Sequence, residues 1–174
     1  MPASDSRRPP VILVACNNAP LTDRITSILD GSFSLVITAC STGFRTRISE
    51  SNPLLTMLDP ALFGDNLQAT ITETLTRTPL TRVIILEDDK TSPVDQLTLF
   101  KSGVHGFLSH SITSTLMLKA SHAVCDGEIW IPRQLITKLI GELARDTHAG
   151  THTLSFAGNS SIEHLTPREI QVAE

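Results

Sequence analysis

Five short apolar runs, separated by longer segments with helical spacing, are the feature that most constrains the fold of this chain. The runs occupy residues 11–16, 34–39, 54–58, 82–86 and 106–109. Each run is almost continuously apolar, which is typical of strands buried on both faces. Strands that alternate with helices favour a parallel sheet with helices on both sides. We therefore predict an α/β fold, a doubly wound (βα)5 domain over residues 11–127.

The segments between the runs carry apolar residues at the spacing of one helix face. Shorter or looser patterns of the same kind predict helices around residues 44–48, 94–100 and 112–124. The two clearest faces consist of Leu21, Ile25, Ile28 and Leu29, and of Leu67, Ile71 and Leu75.

The composition fits a folded domain and limits the partners of the chain as a whole. A chain of 174 residues can form one well-cored domain and part of a second. Its 40% hydrophobic and 18% charged residues indicate a globular protein and argue against disorder. The net charge of −4 gives no overall footprint for nucleic acid, so contact with DNA requires a local patch or a further segment.

The three cysteines, Cys16, Cys40 and Cys125, have neither CxxC nor Cys/His spacing. We interpret them as buried, reduced thiols and not as metal ligands or disulfide partners, which favours a cytoplasmic protein. No stretch approaches the roughly 20 apolar residues of a membrane-spanning helix, so we expect no membrane contact.

Outside the predicted domain, the chain divides into four segments. Residues 1–10 form a leader with two arginines and three prolines, and residues 128–146 contain an amphipathic helix predicted over 132–145. Residues 147–161 are small and polar, as expected of a flexible linker. Residues 162–174 are predicted to begin a second domain.

The last segment contains a strong helix start. In LTPREIQVAE, Thr166 is a candidate N-cap, Pro167 occupies the first helical position and Glu169 completes a capping box. Because this signal lies so close to residue 174, we expect the chain to stop inside its second domain.

Asp59 is the first candidate functional residue. It ends the apolar run 54–58 and is followed at once by Pro60, which places its carboxylate in the loop after a buried strand. Open α/β sheets place their ligand sites at the carboxyl ends of the strands.

Three motifs resemble those of NarL/FixJ-type response regulators, in which a receiver domain precedes a LuxR-type helix-turn-helix domain. They are GVHGFLSHSI at 103–112, AVCDGEIWIPRQL at 123–135 and LTPREIQV at 165–172. The resemblance implies a flavodoxin-like, CheY-like receiver with strand order 2-1-3-4-5. It also implies that Thr166, Pro167, Arg168 and Glu169 begin an all-α DNA-binding domain whose recognition helix would enter the major groove.

The receiver pattern, laid on this sequence, implies a degenerate phosphorylation site. Asp59 takes the phosphoacceptor position, but Asn17 and Asn18 stand where the family has an acidic pair for Mg²⁺. Glu87 takes the position of a small hydroxyl residue, and His110 replaces a lysine. Like charges ~4 Å apart repel by roughly 4 kcal/mol at an effective dielectric of about 20, so Glu87 would oppose a phosphate on Asp59. We predict no metal, no cofactor and no enzymatic activity.

Several interpretations of this pocket remain open from sequence. In one interpretation, Asp59 no longer has a function and the pocket is purely structural. In another, Asp59, Glu87 and His110 form a hydrogen-bonded charge cluster that fixes one conformation or responds to pH. Alternatively, phosphorylation persists with Glu87 or Asp88 as a substitute metal ligand, or the pocket binds a small-molecule effector. The main rival from another class is an enzyme or a cofactor-binding flavodoxin-like protein, and a third is an interaction module that never binds DNA.

The expected partners follow from the resemblance. We predict a transcriptional regulator that binds DNA through its second domain and forms a homodimer, with the helix at 112–124 as first candidate interface and that at 132–145 as second. A histidine kinase or a small-molecule effector would supply the signal.

Overall fold

The computed structural model describes residues 8–88 and 93–149. Most of the predicted flexible linker and most of the leader lie outside the described residues. The predicted start of the second domain, with Thr166, Pro167, Arg168 and Glu169, lies wholly outside them.

A five-stranded parallel sheet forms the centre of the domain. Its strands are β1 (Val11–Ala15), β2 (Ser34–Thr38), β3 (Leu55–Leu58), β4 (Arg82–Glu87) and β5 (Gly106–Ser109). Their spatial order is β2-β1-β3-β4-β5, and every neighbouring pair is parallel. The predicted fold class and strand order are both confirmed, and the predicted strand bounds differ by at most one residue.

Helices connect the strands and cover both faces of the sheet. They are α1 (Ala19–Leu29), α2 (Ser41–Ser51), α3 (Pro60–Phe63), α4 (Leu67–Arg77), α5 (Pro93–Lys101), α6 (Ser114–Cys125) and α7 (Arg133–Ala149). A 3-10 turn, Gly64–Asn66, separates α3 from α4. Gly64 makes this break with φ +52 and ψ −133, a conformation that glycine adopts without steric cost. Residues 147–149, which we predicted as linker, are helical.

Two apolar layers hold these helices against the sheet. On one face, the buried side chains of α1 and α6 include Ile25, Leu29 and Met117. On the other face, Phe44 of α2 and Ile71 of α4 are buried in the second layer. Burying a side chain of this size contributes about 1.5–3 kcal/mol, so the two layers hold the strands, and therefore the strand ends, in fixed positions.

The chain after α6 returns to the open edge of β5. The Phe107 N–H donates to the Trp130 carbonyl, and the Trp130 N–H donates to the His105 carbonyl, both at 2.9 Å. Leu135 of α7 then enters the second apolar layer with 1% of its surface exposed. The first compact unit accordingly continues to Ile140, beyond residue 127, and the rest of α7 belongs to a second unit.

The cysteine prediction is only partly confirmed. Cys16 is buried and Cys125 is half-buried, but Cys40 is exposed. Cys40 precedes α2, and its thiol accepts a hydrogen bond from the Gly43 N–H at 3.3 Å, so it caps a helix at the surface instead of entering the core. None of the described helices is long and apolar enough to cross a membrane.

Candidate functional site

Side chains from four strand ends meet in one cavity at the carboxyl edge of the sheet. Asn17 and Asn18 follow β1, Asp59 follows β3, Asp88 follows β4 and His110 follows β5. The cavity has a volume of about 390 Å³. Parallel strands bring their carboxyl ends to the same edge, which is why residues so distant in sequence converge here.

The Asp59 carboxylate is buried, with 3% of the residue exposed, and both of its oxygens accept hydrogen bonds from within the domain. The Cys16 thiol donates to Oδ2 at 3.3 Å, and the Ala61 N–H donates to Oδ1 at 3.0 Å. The second bond makes Asp59 the N-cap of α3. Asp59 is thus held in place by the domain itself.

Cys16 is a site residue that the sequence pattern did not single out. Burial raises the pKa of its thiol, which therefore stays protonated near neutral pH and can donate. Ala15 pairs with Leu58 across β1 and β3, so the next residue on each strand, Cys16 and Asp59, are also neighbours. The predicted strand order would have suggested this pair, but only with the correct register.

Asn18 has a structural task at the start of α1. Its side-chain oxygen accepts from the Leu21 N–H at 3.1 Å, and its own N–H donates to the Cys16 sulfur at 3.4 Å. This oxygen therefore caps the helix. The side chain of Asn17, the other asparagine of the cavity, makes no hydrogen bond within the described residues.

His110 is positioned by its backbone. Its N–H donates to the Glu87 carbonyl at 2.8 Å, and its carbonyl accepts from the Arg24 guanidinium, which also donates to the Ile112 carbonyl. The His110 ring nitrogen Nε2 is buried and has no hydrogen-bond partner among the described residues. A buried polar atom without a partner costs free energy, so this nitrogen is a position where a ligand or a water molecule would be stabilised.

Glu87 is buried, but it does not line the cavity. Both of its carboxylate oxygens accept hydrogen bonds at 2.8 Å from Nε2 of Gln96 on α5. Burial raises the pKa of the Glu87 carboxyl group, and the Gln96 bond partly offsets that effect. No hydrogen bond or ion pair joins Asp59, Glu87 and His110 to one another through their side chains within the described residues, so the structure does not assemble the predicted charge cluster.

The comparison with solved structures finds neighbours of this fold. No family model matches the sequence, and no curated protein matches it at a significant level. The receiver domain of the response regulator NarL from Mycobacterium tuberculosis is 18% identical, with a TM-score of 0.64, covering 70% of this chain and 100% of that one. A LuxR-family two-component response regulator from Aurantimonas sp. is 14% identical, with a TM-score of 0.66, covering 78% and 98%.

The isolated receiver domain of RcsB from Salmonella enterica, solved with the phosphomimetic BeF3⁻, gives a similar result. It is 15% identical with a TM-score of 0.63, covering 74% of this chain and 96% of that one. The fold is that of a receiver domain. At these identities the likeness concerns the fold, and the chemistry has to be argued from the residues that this chain carries.

The residues of this receiver fold do not fit a Mg²⁺ site. A hard dication needs several oxygen ligands, preferably charged. Asp59 and Asp88 are the two carboxylates among the described residues that line the cavity, and Asn17 and Asn18 offer neutral amide oxygens, of which the Asn18 oxygen already caps α1. Among the described residues there is no group of three or more His, Cys, Asp or Glu side chains that could hold a metal ion.

Proposed function

We propose that this domain is the regulatory receiver module of a DNA-binding transcriptional regulator, and that it works without Mg²⁺-dependent phosphorylation of Asp59. The observation that carries the proposal is the lining of the cavity, in which Asn17, Asn18 and His110 surround an Asp59 carboxylate that is 3% exposed and accepts internal hydrogen bonds at both oxygens. In this proposal the domain has no catalytic activity and controls assembly of a homodimer.

The chemistry of phosphoryl transfer supports this proposal. The reaction depends almost wholly on positioning of the reactants and on stabilisation of developing negative charge. Asn17 and Asn18 contribute no formal charge for a metal, and His110 places an imidazole ring where the receiver pattern has a lysine. Attack of an Asp59 oxygen on a phosphodonor would also compete with the hydrogen bond that this oxygen accepts, from Cys16 at Oδ2 or from Ala61 at Oδ1.

The test is the intact mass of the protein after incubation with Mg²⁺ and a small-molecule phosphodonor. We expect no phosphoryl adduct on the native chain, and we expect labelling to appear when Asn17→Asp, Asn18→Asp and His110→Lys restore the missing charges together. An aspartate in place of Asn18 can still cap α1, so the variant should fold. Asp59→Asn in this charged background is the control that should remove the label.

A phosphoryl adduct that forms on the native chain and is absent from Asp59→Asn would contradict the proposal and would favour conventional phosphorylation. Loss of that adduct in Asp88→Asn as well would identify Asp88 as the substitute metal ligand. No adduct on either the native or the charge-restored chain would leave burial of Asp59 as the sufficient reason for the inactivity.

Control of transcription is the part of the proposal that rests on the LTPREIQV motif at 165–172. A protein that contains the complete second domain should bind promoter DNA, and log K should fall linearly with log salt because bound phosphates release counterions. Binding that does not depend on salt, or no binding at all, would instead favour an interaction module without a DNA target. A partner histidine kinase is not required in this scheme.

A small-molecule effector is the second candidate for the signal. The cavity of about 390 Å³ falls in the range of ligand pockets, roughly 300–1,000 Å³, and it is lined by His110, whose Nε2 is unpartnered within the described residues. A ligand that binds there should raise the thermal stability of the native protein and should lose that effect in His110→Ala. Gln134→Ala, at an exposed position of α7 that does not line the cavity, should keep the full effect and serves as the control.

A further inference from the structure

The Glu87–Gln96 contact is a feature that the proposed function does not use. Gln96 lies on α5 and Glu87 ends β4, so the contact joins two elements across nine positions of sequence. Nε2 of Gln96 lies 2.8 Å from each carboxylate oxygen. These short distances make the contact a direct polar attachment of α5 to the end of β4.

The described side chains of α5 make their apolar contacts from the middle of the helix to its end. Among its described side chains, at 95–101, Leu99 is the one that is buried, while Leu97 and Phe100 pack partly against the same apolar layer. Leu97 is the central residue of the helix, and Leu99 and Phe100 lie beyond it. Gln96 precedes all three, so it adds a polar attachment nearer to the beginning of the helix.

The contact also decides which carboxylate faces the Asp59 cavity. Glu87 accepts its hydrogen bonds from α5, and Asp88, the next residue, lines the cavity instead. The titratable groups on the neighbouring strand ends are Asp59 after β3 and His110 after β5. Neither these two nor Asp88 forms an ion pair or side-chain hydrogen bond with the Glu87 carboxylate, so Gln96 is its partner in the described part of the chain.

Two opposed effects act on the charge of Glu87. The residue is 8% exposed, and burial of an ionised carboxylate costs free energy that is recovered when the group returns to water. The Gln96 bond favours the ionised form and offsets part of that cost. Burial is the larger of the two effects, since the pKa of Glu87 is raised when α5 packs on the end of β4. An opening of α5 that hydrates Glu87 is therefore favoured when Glu87 is ionised.

We propose that Glu87 and Gln96 form a latch that holds the first half of α5 on the end of β4 and that loosens when Glu87 loses its proton. The neutral carboxyl group can remain buried at little cost, whereas the carboxylate depends on Gln96 to stay there. Because burial raises the pKa of Glu87, it also brings the loss of this proton closer to physiological pH. The latch rests on the contacts of α5 and is independent of whether Asp59 is phosphorylated.

The first test is the NMR titration of the Glu87 side-chain carboxyl carbon in the native chain and in Gln96→Leu. Gln96 stabilises the ionised form, so its removal should move the titration midpoint of Glu87 upward. Gln134→Leu, an exposed glutamine on α7, should leave the midpoint in place. If Gln96→Leu does not fold, Gln96→Asn withdraws the amide by one methylene and should give the same direction of change.

The second test is amide hydrogen exchange of α5 relative to that of α4 in the same sample, which cancels the intrinsic effect of pH. We expect exchange of the hydrogen-bonded amides of α5 to become about ten-fold faster or more in Gln96→Leu at a pH above the Glu87 midpoint. In the native chain, the ratio of the exchange rate in α5 to that in α4 should rise as the pH rises through the titration midpoint of Glu87. Glu87→Gln should abolish that rise, whereas Asp59→Asn should preserve it.

An unchanged Glu87 midpoint in Gln96→Leu, or an α5 to α4 ratio that does not respond to pH, would overturn the latch. A pH response that survives in Glu87→Gln but disappears in Asp59→Asn would also overturn it, because the cavity and not α5 would then contain the sensitive group.

Discussion

At the scale of single residues, the site is determined by which polar atoms already have partners. Asp59 accepts from Cys16 and Ala61, and Glu87 accepts from Gln96, so neither carboxylate depends on a metal or a cation for its hydrogen bonds. Nε2 of His110 is the exception, because it is buried and unpartnered within the described residues. A buried carboxylate that keeps its hydrogen-bond donors is stable in the fold, and attack by one of its oxygens would compete with the bond at that oxygen.

The Cys16 thiol should therefore contribute measurably to stability. Cys16→Val keeps the volume but removes the donor to Asp59, and we expect a loss of about 1–3 kcal/mol in the free energy of unfolding. Cys16→Ser keeps a donor and should lose less. Urea unfolding measures both, with Cys125→Val as a control at a half-buried thiol outside the cavity. Equal losses in the valine and serine variants would count against a role for the thiol bond.

At the scale of elements, α1 is connected to the loop after β5 through one side chain. The guanidinium group of Arg24 donates to the carbonyls of His110 and Ile112, two backbone groups that precede α6. These carbonyls are not part of any strand or helix, so Arg24 supplies the hydrogen bonds that regular structure would otherwise provide. The same contacts fix the backbone that carries the His110 ring.

Removal of Arg24 should loosen this loop and with it the cavity. We expect Arg24→Ala to lower the free energy of unfolding by about 1–3 kcal/mol, because two carbonyls lose a charged donor. Arg77→Ala, which breaks an exposed pair with Glu73 at 3.2 Å, should cost at most about 1 kcal/mol. Chemical denaturation of both variants makes the comparison, and equal effects would show that the Arg24 contacts are not special.

At the scale of the whole molecule, stability depends on pH through groups at both ends of the sheet. Glu87 lies at the carboxyl end and has a raised pKa, so its contribution is present at acid pH and is lost as the pH rises through its folded value. His105, before β5, has the opposite sign. Burial and the neighbouring Arg82 guanidinium lower its pKa below 6.5, so its contribution is present above that value and is lost as the pH falls through its folded value.

A comparison of variants separates the two contributions. We expect His105→Gln to lose less stability than the native chain when the pH is lowered from about 7 to about 5, since the unfolded chain then no longer gains a proton at this position. Glu87 is present in both proteins and cancels. Unfolding free energies at several pH values give the answer, and parallel profiles for native and His105→Gln would exclude His105 as the source.

The sequence determined the fold because its information is local and repeated. Each strand is a continuous apolar run and the clearest helices have their own periodic faces, so element type and order could be predicted one segment at a time. The resemblance to receivers then supplied the strand order, which the sheet confirms. The positions of Asn17, Asn18, Asp59 and His110 around one cavity also follow from strand ends alone, since parallel strands end at a common edge.

Only the tertiary structure decided how these side chains are paired. Glu87 could have faced Asp59 or α5, and the choice of α5 depends on Gln96 reaching it across nine residues. The Cys16–Asp59 bond depends on the register between β1 and β3, and the return of Trp130 to β5 depends on an unpaired strand edge. Hydrogen bonds act over about 3 Å, and the sequence pattern places elements without placing atoms at that precision.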